Sequence, residues 1–312
     1  MIRIQQQVTL GNEHQWYMVR GESLELPLLL FLHGGPGSPQ AGAQHRYNRE
    51  LEKYFIVVNW DQRGAGKSYH RHIDPATMNV EQLLSDATEL VQHLLRRFEK
   101  RKLYVMGHSM GALLGMQFIK RNPDVVAAYV GINQPVHRAE EEERTQQFVI
   151  AESRRRNHRK AIREMEAMRP VINGSFATMK DLVKQRTWLT KFGGVAYKKQ
   201  AVWFNLSCLF SSHLTWTERL RFMKGFAFSN QCLWNELNRM NLLEDVLEVE
   251  VPVYFIMGRH DRIVHDTIQH YIQLLSAPKK KLIVFEQSGH FACFEEAERF
   301  NQVMIDIAAR RR

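Results

Sequence analysis

One stretch constrains the fold more than any other: Leu103-Tyr104-Val105-Met106-Gly107-His108-Ser109-Met110-Gly111-Ala112-Leu113-Leu114. It opens as an apolar strand and continues as a helix rich in small residues, and the join is a G-x-S-x-G, Gly107 to Gly111. A strand turning so sharply into a helix leaves its central residue in strained backbone geometry. Glycines two before and two after the serine avoid a Cβ clash where strand and helix meet. The turn lifts the Ser109 hydroxyl above the sheet as a candidate nucleophile. It also leaves the Met110 N–H at a helix start, where a developing oxyanion can be held. An ordinary glycine-rich turn with a buried serine fits the pentapeptide alone, so the rest of the chain must decide.

The 312 residues suffice for one large α/β domain with a smaller insertion, and 44% hydrophobic with 24% charged residues is a globular balance. Met1-Ile2-Arg3-Ile4-Gln5 lacks the apolar core of a signal peptide, and the apolar run from Leu26 to Leu32 is strand-length. Cys208, Cys232 and Cys293 are odd in number and far apart, as in a reduced, cytoplasmic protein without an integral membrane segment. On that reading the sequons Asn173-Gly174-Ser175 and Asn205-Leu206-Ser207 carry no weight. The net charge of +10 raises nucleic acid as a partner. Its basic residues are dispersed, however, apart from Arg154-Arg155-Arg156 and the terminal Arg310-Arg311-Arg312. The first run follows Glu140-Glu141-Glu142-Glu143, a pattern expected of a solvated, salt-bridged helix, so no nucleic-acid binding is expected.

Residues 3–20 alternate around Gly11-Asn12-Glu13 as a β-hairpin does, and Pro27 to Leu32 is a continuous apolar strand. That strand runs into His33-Gly34-Gly35-Pro36-Gly37, whose bare backbone suits Gly35 N–H as a second oxyanion donor. A plain Gly/Pro loop is the alternative. The strand 54–60 leads into Asp61-Gln62-Arg63-Gly64-Ala65-Gly66-Lys67-Ser68, which lacks the spacing and context of a phosphate loop. An amphipathic helix over 80–101, capped near Asn79, and a strand over 125–132 continue the alternation. Such regular alternation implies a parallel sheet with right-handed crossovers.

From about Gln134 to Asp245 the strand pattern gives way to helical, charged and aromatic residues, among them Trp188, Trp203, Phe204, Trp216 and Trp234. This divides the chain into a core, 1–133 with 246–312, and a helical cap, 134–245, inserted after the sixth strand. The strands 252–257 and 281–285, a helix over about 265–275 and a last one over 295–309 complete the core.

A serine hydroxyl needs a neighbouring base, and the base an orienting carboxylate. Both are expected on loops at the C-terminal ends of parallel strands. Gly258-Arg259-His260-Asp261 follows one such strand and Glu286-Gln287-Ser288-Gly289-His290 the other, giving Asp261 and His290. Asp266 is the alternative acid, although it also suits the cap of the next helix. His260 and His265 are too close to Asp261 in sequence to reach both it and the serine, and His33 and His108 have no carboxylate of their own. Neither H-E-x-x-H nor a CxxC pair supports a metal reading.

With the chain order Ser109, Asp261, His290, the motifs His33-Gly34-Gly35-Pro36-Gly37 and Asp61-Gln62-Arg63-Gly64 with Gly66 and Ser68 resemble the proline iminopeptidase branch of the α/β-hydrolases. The resemblance covers roughly 1–132 and 250–312. It implies an eight-stranded, mostly parallel sheet, a helical cap, no metal or organic cofactor, and release of N-terminal residues from short peptides. It further implies acidic cap residues that hold the substrate's amino group, for which Glu236 matches best and Glu218 second, with Trp234 beside them. Either glutamate also reads as a solvated helical residue. The elbow Gly107-His108-Ser109-Met110-Gly111 departs from the G-G-S-W-G of those peptidases toward the esterase form. The expected reaction is acyl transfer to Ser109 and hydrolysis of the acyl-enzyme, on a short-peptide or other small-molecule substrate. A carboxylesterase or lactonase, or a ligand-binding receptor on the same fold, are the alternatives, and the oligomeric state is open.

Overall fold

Eight strands pair into one sheet in the computed structural model, which describes residues 1–168, 176, 178–199 and 215–309. The strands are β1 (Ile2–Leu10), β2 (Glu13–Gly21), β3 (Leu28–Leu32), β4 (Ile56–Asp61), β5 (Leu103–His108), β6 (Val126–Ile132), β7 (Val253–Gly258) and β8 (Lys280–Phe285). Their order is β1-β2-β4-β3-β5-β6-β7-β8. The hairpin β1–β2 and the β2–β4 pair are antiparallel, and every later pair is parallel. Cys208, Trp203, Phe204, both sequons, Arg310, Arg311 and Arg312 lie outside the described residues.

β3 shows why the sheet is covered on both faces. Its residues Leu28, Leu30 and Leu32 join one apolar cluster, and Leu29 and Phe31 join the other. Side chains alternate along a strand, so a strand apolar at every position needs cover on both sides. The helices α1 (Ala41–Tyr47), α2 (Val80–Arg97) and α3 (Met110–Arg121) lie between the earlier strands in sequence. α2 begins where Asn79 accepts the Gln82 N–H at 2.8 Å, as its sequence implied, but ends at Arg97 because Glu99 takes a left-handed φ of 50°.

Between β6 and β7 the described residues form α4 (Arg138–Arg155), α5 (Arg159–Glu166), α6 (Met179–Lys191), α7 (Trp216–Leu237) and α8 (Leu242–Asp245). Phe148, Met165, Trp188, Leu189 and Phe192 give this insertion an apolar cluster of its own. The acidic run at the start of α4 corrects the sequence reading. Glu141 and Glu142 are fully buried rather than solvated, because Arg138 pairs with both and Arg186, from α6, pairs with Glu142. α9 (Thr267–Leu274) precedes β8. The closing helix of the sequence reading, 295–309, is α11 (Ala297–Ala309), preceded by the short α10 (Ala292–Glu295). Among the described residues no helix is long and apolar enough to cross a membrane.

Candidate active site

Four neighbouring strands each end in a residue of one cluster. β5 delivers Ser109, β6 Asn133, β7 Asp261 and β8 His290. Ser109 sits at φ 54° and ψ −122°, the strain expected of the elbow. The turn closes because its flanking glycines lack side chains. A Cβ on Gly107 would come within 2.5 Å of Gly111 O, and one on Gly111 within 2.2 Å of Leu32 O. Met110 opens α3, and the first N–H groups of a helix have no acceptor inside it.

His290 Nε2 lies 2.9 Å from Ser109 Oγ, and His290 Nδ1 lies 2.7 Å from Asp261 Oδ2. Asp261 is 2% exposed, so its charge needs partners. Asn133 Nδ2 donates to Oδ2 at 2.7 Å, and the N–H groups of Ile263 and Val264 donate to Oδ1 at 2.7 and 3.3 Å. Burial pushes the Asp261 carboxyl up, but the neighbouring His290 and these donors outweigh it and hold the group below its ordinary value. The carboxylate therefore stays ionised and fixes the imidazole with Nδ1 protonated and Nε2 free to accept. Asp266 is exposed, at the N-cap position of α9 without capping it, and meets Arg144 at 3.2 Å. It has no contact with His290.

Several side chains to which the sequence reading gave no role hold this cluster. Asn133, at φ 46°, also donates to Gly289 O at 3.1 Å, so it braces the acid and the histidine loop together. His108 Nε2 donates to His290 O at 2.7 Å and its Nδ1 accepts from Gln40 Nε2 at 3.1 Å. Burial, then the charge of His290, lowers His108 to about 3, which keeps it a neutral strut. Glu295 Oε1 accepts from the N–H groups of Gly289 and Phe291 at 2.9 and 3.1 Å, and its Oε2 from Tyr197 N–H at 2.7 Å. Burial nevertheless raises Glu295 to about 7. Asn133 offers only its place at a strand end, which identifies neither of its partners. Nothing in the sequence marks the partners of His108 or Glu295.

The two glycine motifs meet as well. A Cβ on Gly34 would lie 2.9 Å from His108 O, so the His33–Gly37 loop rests on the elbow. Gln62 grips that loop, its N–H donating to His33 Nε2 at 3.3 Å and its Nε2 to His33 O at 3.1 Å. Burial lowers His33 to about 4, leaving it neutral. Arg63 is a buried tie rather than a ligand site. Its Nε and Nη2 donate to Asp86 at 2.8 and 3.0 Å, and Nη2 also reaches Leu10 O and Gly11 O.

A cavity of about 450 Å³ opens on Ser109, His290, Gly35 and Met110. Leu182, Arg186 and Thr187 of α6 and Phe226, Asn230 and Trp234 of α7 wall it from the insertion. Of the residues expected at the substrate's amino group, Trp234 lines this cavity and the two glutamates do not. Glu236 is exposed and accepts the Val80 N–H at 3.1 Å, at the start of α2. Glu218 pairs with Lys67 Nζ at 2.8 Å and closes a capping box with Thr215. Among the described residues no aspartate or glutamate lines the cavity, and no group of three or more His, Cys, Asp or Glu side chains is placed to hold a metal ion.

The alpha/beta hydrolase fold family matches residues 27–297. The probable aminopeptidase YbaC of Bacillus subtilis (strain 168) is 34% identical over 307 residues, 96% of this chain and 94% of its own length. A proline iminopeptidase of Heyndrickxia coagulans is 23% identical over 89% of each chain. The solved structure of a proline iminopeptidase-related protein from Thermus thermophilus superposes with a TM-score of 0.69 at 18% identity, over 99% of this chain and 98% of its own, a likeness of fold. By the family match and the whole-length relative together, this chain belongs to the α/β-hydrolase family, an enzyme of that fold with proline iminopeptidases among its relatives.

Proposed function

We propose that this enzyme is a serine hydrolase that cleaves small amides or esters through an acyl-enzyme on Ser109. The observation that carries the reading is the unbroken chain from Ser109 Oγ to His290 at 2.9 Å and from His290 to Asp261 at 2.7 Å, in the wall of a cavity. His290 Nε2 takes the hydroxyl proton as Oγ attacks the acyl carbon, and Asp261 stabilises the imidazolium without taking that proton. Gly35 and Met110 both line the cavity, and their N–H groups serve the oxyanion. The imidazolium then protonates the leaving group, and water activated by the same nitrogen releases the acid. Residues 134–245 act as a lid domain over the core formed by 1–133 and 246–312, since α6 and α7 wall the cavity.

The names of the relatives favour short peptides with a free amino end as substrates. Gln40 Oε1, a buried acceptor in the cavity wall without a partner among the described residues, is available to that amine. A second reading, an esterase, is favoured by one observation: no described carboxylate lines the cavity to pair with an ammonium group. Side-by-side turnover of aminoacyl-arylamides and short-chain aryl esters, with Ser109→Ala as control, tests both. Amide turnover that depends on Ser109 supports the peptidase, and ester turnover alone supports the esterase. Turnover that persists in Ser109→Ala would discard the reading.

A further inference from the structure

Guanidinium groups, and no carboxylate among the described residues, line one part of the cavity. Arg138 and Arg186 both line it, and the carboxylate they share stands outside the lining. Glu142 Oε1 accepts from Arg138 Nη2 and from Arg186 Nη2, the latter at 2.5 Å. Glu142 has no exposed surface, whereas the Arg186 side chain keeps 24% of its own. Glu141 pairs with Arg138 at 2.8 Å and also accepts from Val136 N–H and the Thr267 hydroxyl, while Glu142 Oε2 is a buried acceptor without a partner among the described residues. The guanidinium of Arg186 also lies over the Trp234 ring, 5.8 Å from its centroid.

Two buried donors in that wall have no acceptor among the described residues. Arg138 Nε and Trp234 Nε1 are both without a hydrogen-bond partner there, in side chains that are 2% and 8% exposed as residues. Folded proteins leave few buried N–H groups unpaired, and those they leave call for an explanation. Here the two donors belong to residues that share one cavity with a guanidinium. An anion with two oxygens is the ligand that would satisfy them, because a carboxylate accepts several charge-assisted bonds at once.

We infer that this part of the cavity, formed by Arg138, Arg186 and Trp234, is a subsite for a carboxylate carried by the substrate. It deepens the hydrolase reading and, for turnover, rests on it; for binding it does not. The carboxylate has two possible sources, an acyl group derived from a dicarboxylic acid or the free C-terminus of a short peptide. Both present the same chemistry to the arginines.

Substrate pairs that differ only in that charge separate the sources. For the acyl side, 4-nitrophenyl hydrogen glutarate is compared with 4-nitrophenyl valerate; for the peptide side, Ala-Ala with Ala-Ala amide. The kcat/KM ratio of charged to neutral substrate should be about tenfold or more for one pair. Arg186→Gln should lower that ratio by about tenfold, with Arg186→Lys retaining part of it. Trp234→Phe keeps an aromatic ring, though a smaller one, and removes the orphan donor, and should lower the ratio about threefold. A merely structural Arg186 would depress both members of a pair alike and leave the ratio unmoved, which overturns the inference while the hydrolase reading stands. The binding arm uses calorimetry on the Ser109→Ala protein with glutarate and glutaramide. Tighter binding of glutarate that Arg186→Gln abolishes supports the subsite even if neither pair is turned over, in which case the hydrolase reading alone fails. Equal binding of the two ligands would contradict the subsite.

Discussion

At the scale of single residues the account turns on which carboxylate orients His290. Asp261 is buried, held below its ordinary value and 2.7 Å from the ring, whereas Asp266 is exposed and meets an arginine. Asp261→Asn should lower kcat by a factor on the order of 10⁴, because the amide favours the wrong imidazole tautomer. Asp266→Asn should stay within about twofold of wild type, since exposed pairs of this kind contribute little. Steady-state kinetics on one aryl ester decides, and a larger loss from Asp266→Asn would move the acid. Asn133→Ala removes a donor from Asp261 and another from Gly289 O. A lost hydrogen bond to a buried charge corresponds to about a 10- to 100-fold fall in kcat, with KM much less affected. The cluster of Ser109, His290 and Asp261 was legible because the chemistry proposed for it demands residue types at strand ends in a known order. Asn133 was not, because its partner is 128 positions away and its role exists only once β6 and β7 lie side by side.

At the scale of elements, the Asp61–Ser68 motif, which the sequence already set apart from a phosphate loop, is a brace. Arg63 and Asp86 are wholly buried and join the β1–β2 hairpin to α2, with Gln15 and Gln82 also donating to Asp86. Arg63→Met should cost about 3–5 kcal/mol in urea unfolding, because the Asp86 charge is then buried without its partner. Arg63→Met with Asp86→Leu should recover much of that loss. A single variant as stable as wild type would show that Asp86 finds other compensation. The strands and α2 could be read from apolar periodicity, since period decides which side chains face a core. The acidic start of α4 could not. Charge density alone indicates a wet helix, and the cations that permit burial include one from α6, a helix 44 positions away. Glu236 lies away from the cavity for a related reason: the helix carrying it places Trp234 in the cavity lining and Glu236 at the start of α2.

At the scale of the whole molecule, adjacent parallel strands bring residues distant in sequence to one end of the sheet, and the same packing sets an acid limit on stability. His33 and His108 are held neutral at about 4 and about 3, against about 6.5 for an exposed histidine. Their stabilisation is complete above about pH 6.5 and is lost as pH falls, since the unfolded chain takes up protons that the folded one refuses. Asp261 and Glu142, held below their ordinary values, lose theirs in the same direction at lower pH. Glu295, raised to about 7, and Asp61, raised by burial to about 6, act oppositely and offset part of the loss until both are protonated in either state. Urea midpoints should therefore fall most steeply below about pH 4.5, and His108→Gln should flatten that fall. A fall of the same steepness in His108→Gln would remove His108 from the explanation.

The central claim is that Ser109 is the nucleophile and that His290 activates it. It is tested most directly by mapping the site of covalent labelling with a fluorophosphonate by peptide mass spectrometry. The account predicts a single adduct on Ser109, formed in step with the loss of activity and at least about 10³-fold more slowly in His290→Ala. An adduct on another serine, or complete labelling of Ser109 with activity intact, would contradict it.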